Sequence, residues 1–297
     1  MPKLNFEAIG TTWQITHESS RSMAKVSLAV HELIETFDHS YSRFRPDSFV
    51  RSIAQAPGMF ILSDDAEPMM RFYKLLYEAT QGRVTPLIGQ LMADSGYDET
   101  YSLQPGILSS VPAWENVLTY RHPVLQTHQP VTFDFGAAGK GYLVDLVADL
   151  FRQMDVFPFV INAGGDIYSD SAVGVALEDP SDTSQAIGVA TIQHQAICGS
   201  AGNRRKWANF THIIDPVTKR SPTNIAATWV VADTTMLADG LSTALFFTDA
   251  LTLQQHFVFE YAIVSKDGGL YSSAGFPADF YITQQEEDYE QVDLIYR

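Results

Sequence analysis

Residues Phe157 to Ile192 read FPFVINAGGDIYSDSAVGVALEDPSDTSQAIGVATI, and this stretch decides the fold class. Phe157 to Ile161, Val173 to Leu177 and Ile187 to Ile192 are runs rich in β-branched and aromatic residues, the composition of strands. Ala227 to Ala232 and Tyr261 to Val264 repeat the pattern further on. These strands follow one another with few helices between them, which favours an α+β fold with a mainly antiparallel sheet and packed helices over a doubly wound parallel sheet. Within the same stretch, Gly164 and Gly165 end a strand and Asp166 follows. That arrangement is either a tight hairpin turn or part of a site, and the residues alone leave both open.

Helical spacing lies mostly before this region. Met23, Val26, Val30, Leu33, Ile34 and Phe37 fall on one face at intervals of three and four, behind the capping candidates Ser19, Ser20 and Ser22. A second helix is expected from about Glu67 to Gln81, stopping at Gly82, with Pro68 tolerated in its first turn. A third follows Gly139-Lys140-Gly141, with Leu143, Val144, Val147, Leu150 and Phe151 as its buried stripe.

The chain has 297 residues, of which 45% are hydrophobic, enough for a packed core in one large domain or two ordinary ones. No long Gly/Ser linker, low-complexity tract or repeat interrupts it, which favours one continuous domain over 1–297. No apolar run reaches the roughly 20 residues that span a bilayer. The start, MPKLNFEAIGTTW, lacks the order of a secretion signal, so the chain as given is expected in the cytoplasm, or in the periplasm if a leader has been removed. The single cysteine, Cys198, can form neither an internal disulfide nor a thiolate metal site. Nineteen Lys and Arg against 35 Asp and Glu give a formal charge of −16, which repels DNA or RNA at long range. The acidic cluster of Glu286, Glu287, Asp288 and Glu290 reads as solvated surface.

Several segments carry chemistry. FDFGAAGKGYLVD, Phe133 to Asp145, combines Asp134, a Gly-Lys-Gly step and a helix start. Glycines allow close approach of a ligand, a helix start attracts negative charge and Lys140 adds a cation, while Asp134 suits a magnesium ion or a sugar hydroxyl beside a phosphate. The glycine spacing is neither that of a Walker loop nor that of a Rossmann fingerprint. In THIIDP, Thr211 to Pro216, an alternating strand would set His212 and Ile214 on one face, with Pro216 a stop at Asp215. His212 is a candidate base near neutral pH or a structural residue. In MLADGLSTALFF, Met236 to Phe247, Asp239 and Thr243 stand four apart on one helix face and either ligate one hard cation or are an exposed acid and a threonine bonded back to its own helix. In SRFRPDS, Ser42 to Ser48, Phe44 could stack on a planar ring or simply pack.

Taken in order, these segments resemble the ApbE family, magnesium-dependent flavin transferases that use FAD as substrate. The family's D-L-x-x-x-x-K-G-Y followed by an acid is met by Asp134, Phe135, Lys140, Gly141, Tyr142 and Asp145. Its N-x-G-G-[DN] is met by Asn162, Gly164, Gly165 and Asp166, its H-I-I-D-P by His212 to Pro216, and its A-D-x-x-x-T by Ala238, Asp239 and Thr243. Weaker matches are Gly10-Thr11-Thr12 and the S-x-aromatic-x-x-D-S of Ser42 to Ser48. The resemblance implies a magnesium-dependent FAD:protein FMN transferase: a Thr or Ser hydroxyl of an acceptor flavoprotein attacks the FMN-side phosphorus and AMP leaves. It also implies that the main-chain oxygen of Ala137 and the side chains of Asp239 and Thr243 hold Mg2+. Asp134, Lys140, Phe44, Gly96, Tyr97 and Ile214 would contact FAD, and His212 would be the catalytic base. Rival readings of the same site are a magnesium-dependent FAD pyrophosphatase giving FMN and AMP, and a non-catalytic FAD-binding protein. The chain departs from the family at Phe44, where a tyrosine is usual, and at Ser242, where an acid often precedes the magnesium threonine. Cys198-Gly199-Ser200-Ala201-Gly202 replaces the common T-S-G.

Overall fold

The structure, a computed structural model, describes residues 3–281; the acidic cluster of Glu286 to Glu290 lies outside them. Strands β1 (Lys3–Ala8) and β2 (Thr11–His17) lead into α1 (Met23–Tyr41), α2 (Phe49–Ile53), β3 (Gly58–Ile61) and α3 (Ala66–Ala79). Next come α4 (Gly89–Asp94), α5 (Trp114–Val117), β4 (Leu118–Arg121), β5 (Val124–Thr127) and α6 (Gly139–Gln153). A run of strands follows: β6 (Phe159–Ala163), β7 (Asp166–Ser169), β8 (Val173–Glu178), β9 (Ala186–Ile192), β10 (Gln195–Ala201), β11 (Lys206–Trp207), β12 (Phe210–Thr211) and β13 (Ile225–Ala232). The described chain closes with α7 (Thr235–Ala244), α8 (Ala250–Gln254), β14 (Glu260–Ser265), β15 (Leu270–Ser272) and β16 (Ala278–Phe280). Every strand pairing among the described residues is antiparallel, as the α+β reading expects.

The chain divides into two compact units, each built from separated stretches. The first takes its described residues from the stretch up to Ile34, from Lys140–Asn203 and from Thr223 onward; the second takes Glu35–Gly139 and Arg204–Pro222. Two of the boundaries fall inside helices, after Ile34 in α1 and after Gly139 in α6. No linker marks either point, so composition alone reads as one continuous domain.

In the first unit, an eight-stranded sheet runs in the order β1-β2-β6-β7-β10-β13-β14-β15 and a three-stranded sheet in the order β16-β9-β8. Strand β13, IAATWVVA, is buried at every residue because both of its faces are covered. Ala227, Trp229 and Val231 join Ile197 and Val264 in a core shared with Leu177, Ile187, Ala190 and Ile192 of the small sheet. Successive side chains in a strand point to opposite faces, so Thr228 looks the other way. There its Oγ1 donates to the Ser242 carbonyl of α7 at 2.6 Å. Helix α6 buries Leu143, Val144, Val147 and Phe151, and the Phe151 ring meets His17 of β2 and Phe159 of β6 at 6.4 and 5.2 Å. Gly164 and Gly165 form the two-residue β6–β7 hairpin, with φ of +67° and +107° that other residues rarely adopt.

In the second unit, the expected helix is α3, which buries Met69, Met70, Phe72, Tyr73 and Leu76. A three-stranded sheet runs β3-β5-β4, and Phe133 and Phe135 stack with ring centroids 5.6 Å apart. The expectation of an alternating strand through THIIDP needs correction. Strand β12 stops at Thr211, whose Oγ1 accepts from Ile213 N at 3.2 Å, and Asp215 Oδ1 accepts from Val217 N and Thr218 N. These side chain to backbone bonds compete with a ladder and turn the chain. Ile213 and Ile214 are both buried as a result, while His212 is half-buried.

Candidate functional site

In the first unit, three elements bring charge together. Lys140 lies in the first turn of α6, Asp166 opens β7 and Asp239 is midway along α7. The Lys140 ammonium is 2.6 Å from Asp166 and 3.4 Å from Asp239. Both carboxylates are buried, at 3% and 4% exposure. Asp239 also accepts from Gly141 N at 2.9 Å, so the helix start that the sequence offers to an external anion already holds an internal one. Glycine is required here: a Cβ at 141 would collide with the Thr235 carbonyl oxygen and lie 2.8 Å from the Asp239 Cβ. Burial, with Asp166 alongside, pushes the Asp239 carboxyl above the usual carboxylate range, against the opposing pull of Lys140 and Gly141. The Lys140 ammonium is held more basic than usual, since its two carboxylates outweigh the burial that works against it.

Helix α7 is set in place by a second group of contacts. Asp145 of α6 accepts from Thr235 N and Met236 N at 2.7 and 2.8 Å, and Thr234 Oγ1 accepts from Leu237 N. Burial drives Asp145 up to about 6 despite those donors. Ser242 is fully buried, donates to its own helix at Asp239 O and pairs with Ser200 Oγ at 2.8 Å. Its hydroxyl is therefore a brace between α7 and β10. Cys198 is buried on the same strand, with its thiol pushed well up by burial.

In the second unit, Asp134 is held by Arg43 Nε at 2.5 Å and by Gly136 N at 2.7 Å, and Arg43 Nη2 donates to Tyr97 O at 2.7 Å. The Arg43 guanidinium lies over the Phe44 ring, 4.1 Å from its centroid. Tyr97 is nearly enclosed: Trp207 stacks on it at 5.5 Å, Phe44 meets it edge-on at 5.6 Å and Arg205 Nη1 donates to its hydroxyl at 2.9 Å. Ile214 packs in the same cluster. His212 Nδ1 lies 3.2 Å from the Arg204 carbonyl oxygen. A carbonyl only accepts, so Nδ1 carries the proton and the basic lone pair of the neutral ring is on Nε2.

The expected residues thus fall into two groups. Lys140, Asp239 and Thr243 belong to the first unit, and Phe44, Gly96, Tyr97, Asp134, Ala137, His212 and Ile214 to the second. The pairing of Lys140 with Asp166 and Asp239 is not legible in the sequence, which gives no role to Tyr101, Arg205 or Trp207 and shows Arg43 only as one of the two arginines flanking Phe44. Arg43 carried the best available signal, being next to Phe44 in a motif already singled out. Among the described residues no three His, Cys, Asp or Glu side chains converge as a metal site. A site at Asp239 and Thr243 would instead draw on carboxylate, hydroxyl and main-chain oxygens. Two buried carboxylates sharing one ammonium fit such a site, because a hard cation would meet the remaining negative charge.

Residues 9–257 match the ApbE family. Over 277 residues the chain is 25% identical to the FAD:protein FMN transferase of Haemophilus influenzae, covering 82% of this chain and 79% of that one. The FAD:protein FMN transferase of Vibrio cholerae is 24% identical over 271 residues, covering 82% and 80%. Among solved structures, the flavin transferase ApbE from Vibrio cholerae superposes with a TM-score of 0.78 at 20% identity, over 93% of this chain and 97% of that one. The ApbE protein from Thermotoga maritima gives 0.82 at 20% identity, over 92% and 97%. The fold is therefore shared, and because the family match runs from the glycine turn after β1 through the segment Phe133 to Asp145, the β6–β7 hairpin and α7, the chain belongs to the ApbE family.

Proposed function

We infer that this protein is a transferase that moves FMN from FAD to a serine or threonine hydroxyl of an acceptor flavoprotein, releasing AMP. The observation that carries the reading is the near full-length match to FAD:protein FMN transferases, 82% of this chain against 79% of the Haemophilus influenzae relative. By the family resemblance, Asp239 and Thr243, with the main-chain oxygen of Ala137, would hold Mg2+, and the cation would supply positive charge to the pyrophosphate.

The remaining work falls to the chain's own groups. Lys140 and the Gly141 N–H fix the Asp239 carboxylate, so Lys140 serves FAD by ordering the metal ligand as well as by its charge. Phe44, Gly96, Tyr97, Asp134 and Ile214 seat the dinucleotide. Nε2 of His212 takes the proton of the acceptor hydroxyl as its oxygen bonds to the FMN-side phosphorus. The bond from that phosphorus to the bridging oxygen breaks, and AMP leaves with the bridging oxygen.

Mass spectrometry after mixing protein, FAD, magnesium and an acceptor domain tests this directly. AMP that needs both magnesium and acceptor, with an acceptor heavier by one FMN group, is the expected result. AMP and free FMN without acceptor would make the protein an FAD pyrophosphatase, and intact FAD in every tube a non-catalytic FAD-binding protein. Asp239→Ala is expected to lower magnesium-dependent turnover on the order of 100-fold while changing FAD affinity less. Equal turnover in variant and parent would overturn the metal assignment.

A further inference from the structure

Tyr101 has no role in the reading above, yet its ring is laid parallel to Phe44, with an interplanar angle of 3° and centroids 5.3 Å apart. It meets Tyr97 edge-on at 5.4 Å. The three rings differ in what they leave open. Tyr97 is 9% exposed behind Trp207, Phe44 and Arg205, and Phe44 is partly buried under the Arg43 guanidinium, whereas Tyr101 keeps 48% of its surface. Tyr101 is thus the outermost plate of the cluster. A half-exposed aromatic ring backed by a second ring is a surface that planar heterocycles stack on.

The loop that carries Tyr101 is held in place. The Asp98 carboxylate accepts from Thr100 N, Thr100 Oγ1 and Ser102 N at 2.9, 2.8 and 3.0 Å. Tyr101 N donates to Asp98 O at 3.1 Å, and Leu103 N returns to Gly96 O at 2.8 Å. Tyr101 and Leu103 both sit in the left-handed region, at φ +51° and +53°. Such conformations persist where the surroundings over-determine them. A ring mounted in this way is a fixed platform and not a plug that swings aside.

We propose that Tyr101 is the plate on which a planar ring of the dinucleotide substrate stacks, with Phe44 as its backing; the proposal rests on the FAD reading above. The test is titration of the full-length protein with FAD and with FMN, followed by flavin fluorescence, and with ADP by displacement of FAD. Tyr101→Asn removes the ring but keeps a residue that tolerates φ above zero, and Tyr101→Phe keeps the ring. Tyr101→Asn is expected to weaken FAD about tenfold or more and to relieve quenching of the bound flavin, and Tyr101→Phe to restore both. Weakening of FMN alone places the flavin on Tyr101, and weakening of ADP alone places the adenine there; in the second case FAD affinity falls without relief of quenching. Affinities for all three ligands equal to the parent's would overturn the role of Tyr101 and leave the FAD reading standing. Tighter binding by Tyr101→Asn would also overturn it, by showing that the ring obstructs the site. Failure of the parent itself to bind any of the three would remove the FAD reading and the proposal together.

Discussion

The charged cluster around Lys140 and the aromatic cluster around Tyr97 are built by opposite means. Lys140, Asp166 and Asp239 stand on α6, β7 and α7, whose backbones are fixed by ladders and helix bonds. Tyr97 and Tyr101 stand on loops, and Trp207 on the two-residue strand β11. The difference is in how steeply each interaction depends on distance. Charges in a poorly solvated setting gain or lose several kcal/mol over an ångström or two, so the rigid mounts of α6, β7 and α7 hold the Lys140 cluster to its geometry. Aromatic contacts tolerate centroid separations of about 4.5–7 Å, so loops can supply them.

Removing the central cation breaks the first half of that comparison most severely. In Lys140→Met two buried carboxylates would face each other without an ammonium, and breaking buried pairs typically costs about 3–5 kcal/mol. The Lys140 side chain retains 24% of its surface, so about 3 kcal/mol is expected. Urea unfolding measures it. A loss below about 1 kcal/mol would mean that the carboxylates relax or take up a proton, and that rigid mounting is not what the cluster depends on.

Asp145 sharpens the same half through pH. Burial raises its carboxyl from 3.8 to about 6. A folded-state value above the unfolded one contributes stability that is complete below pH 3.8 and lost as pH rises through about 6. The shift sets an upper figure of about 3 kcal/mol, which partial exposure of the residue trims to about 2 kcal/mol. The stability of the parent relative to Asp145→Asn should therefore fall between pH 4 and pH 7, whatever constant offset the lost acceptor for Thr235 or Met236 adds. A difference that stays flat across this range would show that the α7 N–H donors hold Asp145 ionised.

What could be read from the sequence divides along the same line. Periodicity locates α3 and the strands β6, β8, β9, β13 and β14 to within a few residues, because β-branched runs and helical stripes are local signals, whereas β7, β10 and the two-residue β11 and β12 are not among the runs it picks out. Asp239 and Thr243 were legible as neighbours on one helix face for the same reason. The pairing of Lys140 with Asp239 spans 99 residues, and nothing local announces it. Composition did not show the two units, since the chain passes between them inside α1 and α6. His212 was misplaced on an alternating strand because Thr211 and Asp215 turn the chain through side-chain bonds, a signal that β-propensity does not contain. Tyr101 was missed because its orientation depends on backbone angles of a loop with no period to read.

The smallest expected effect tests the second half of the comparison, that loops suffice for rings. Asp98 gathers the loop on both sides of Tyr101, and its three donors hold its carboxyl well below the usual carboxylate range. Asp98→Ala removes those acceptors without touching a ring or a helix. Hydrogen exchange should then quicken at the amides of Thr100 and Ser102, while the thermal midpoint of the whole protein stays where it is, because an exposed loop opens independently of the global transition. Protection that survives in Asp98→Ala would mean that ring packing on Phe44, and not the carboxylate, holds the loop. A fall in the global midpoint would mean that the loop is part of the cooperative core, and the contrast between rigidly mounted charges and loop-mounted rings would no longer hold.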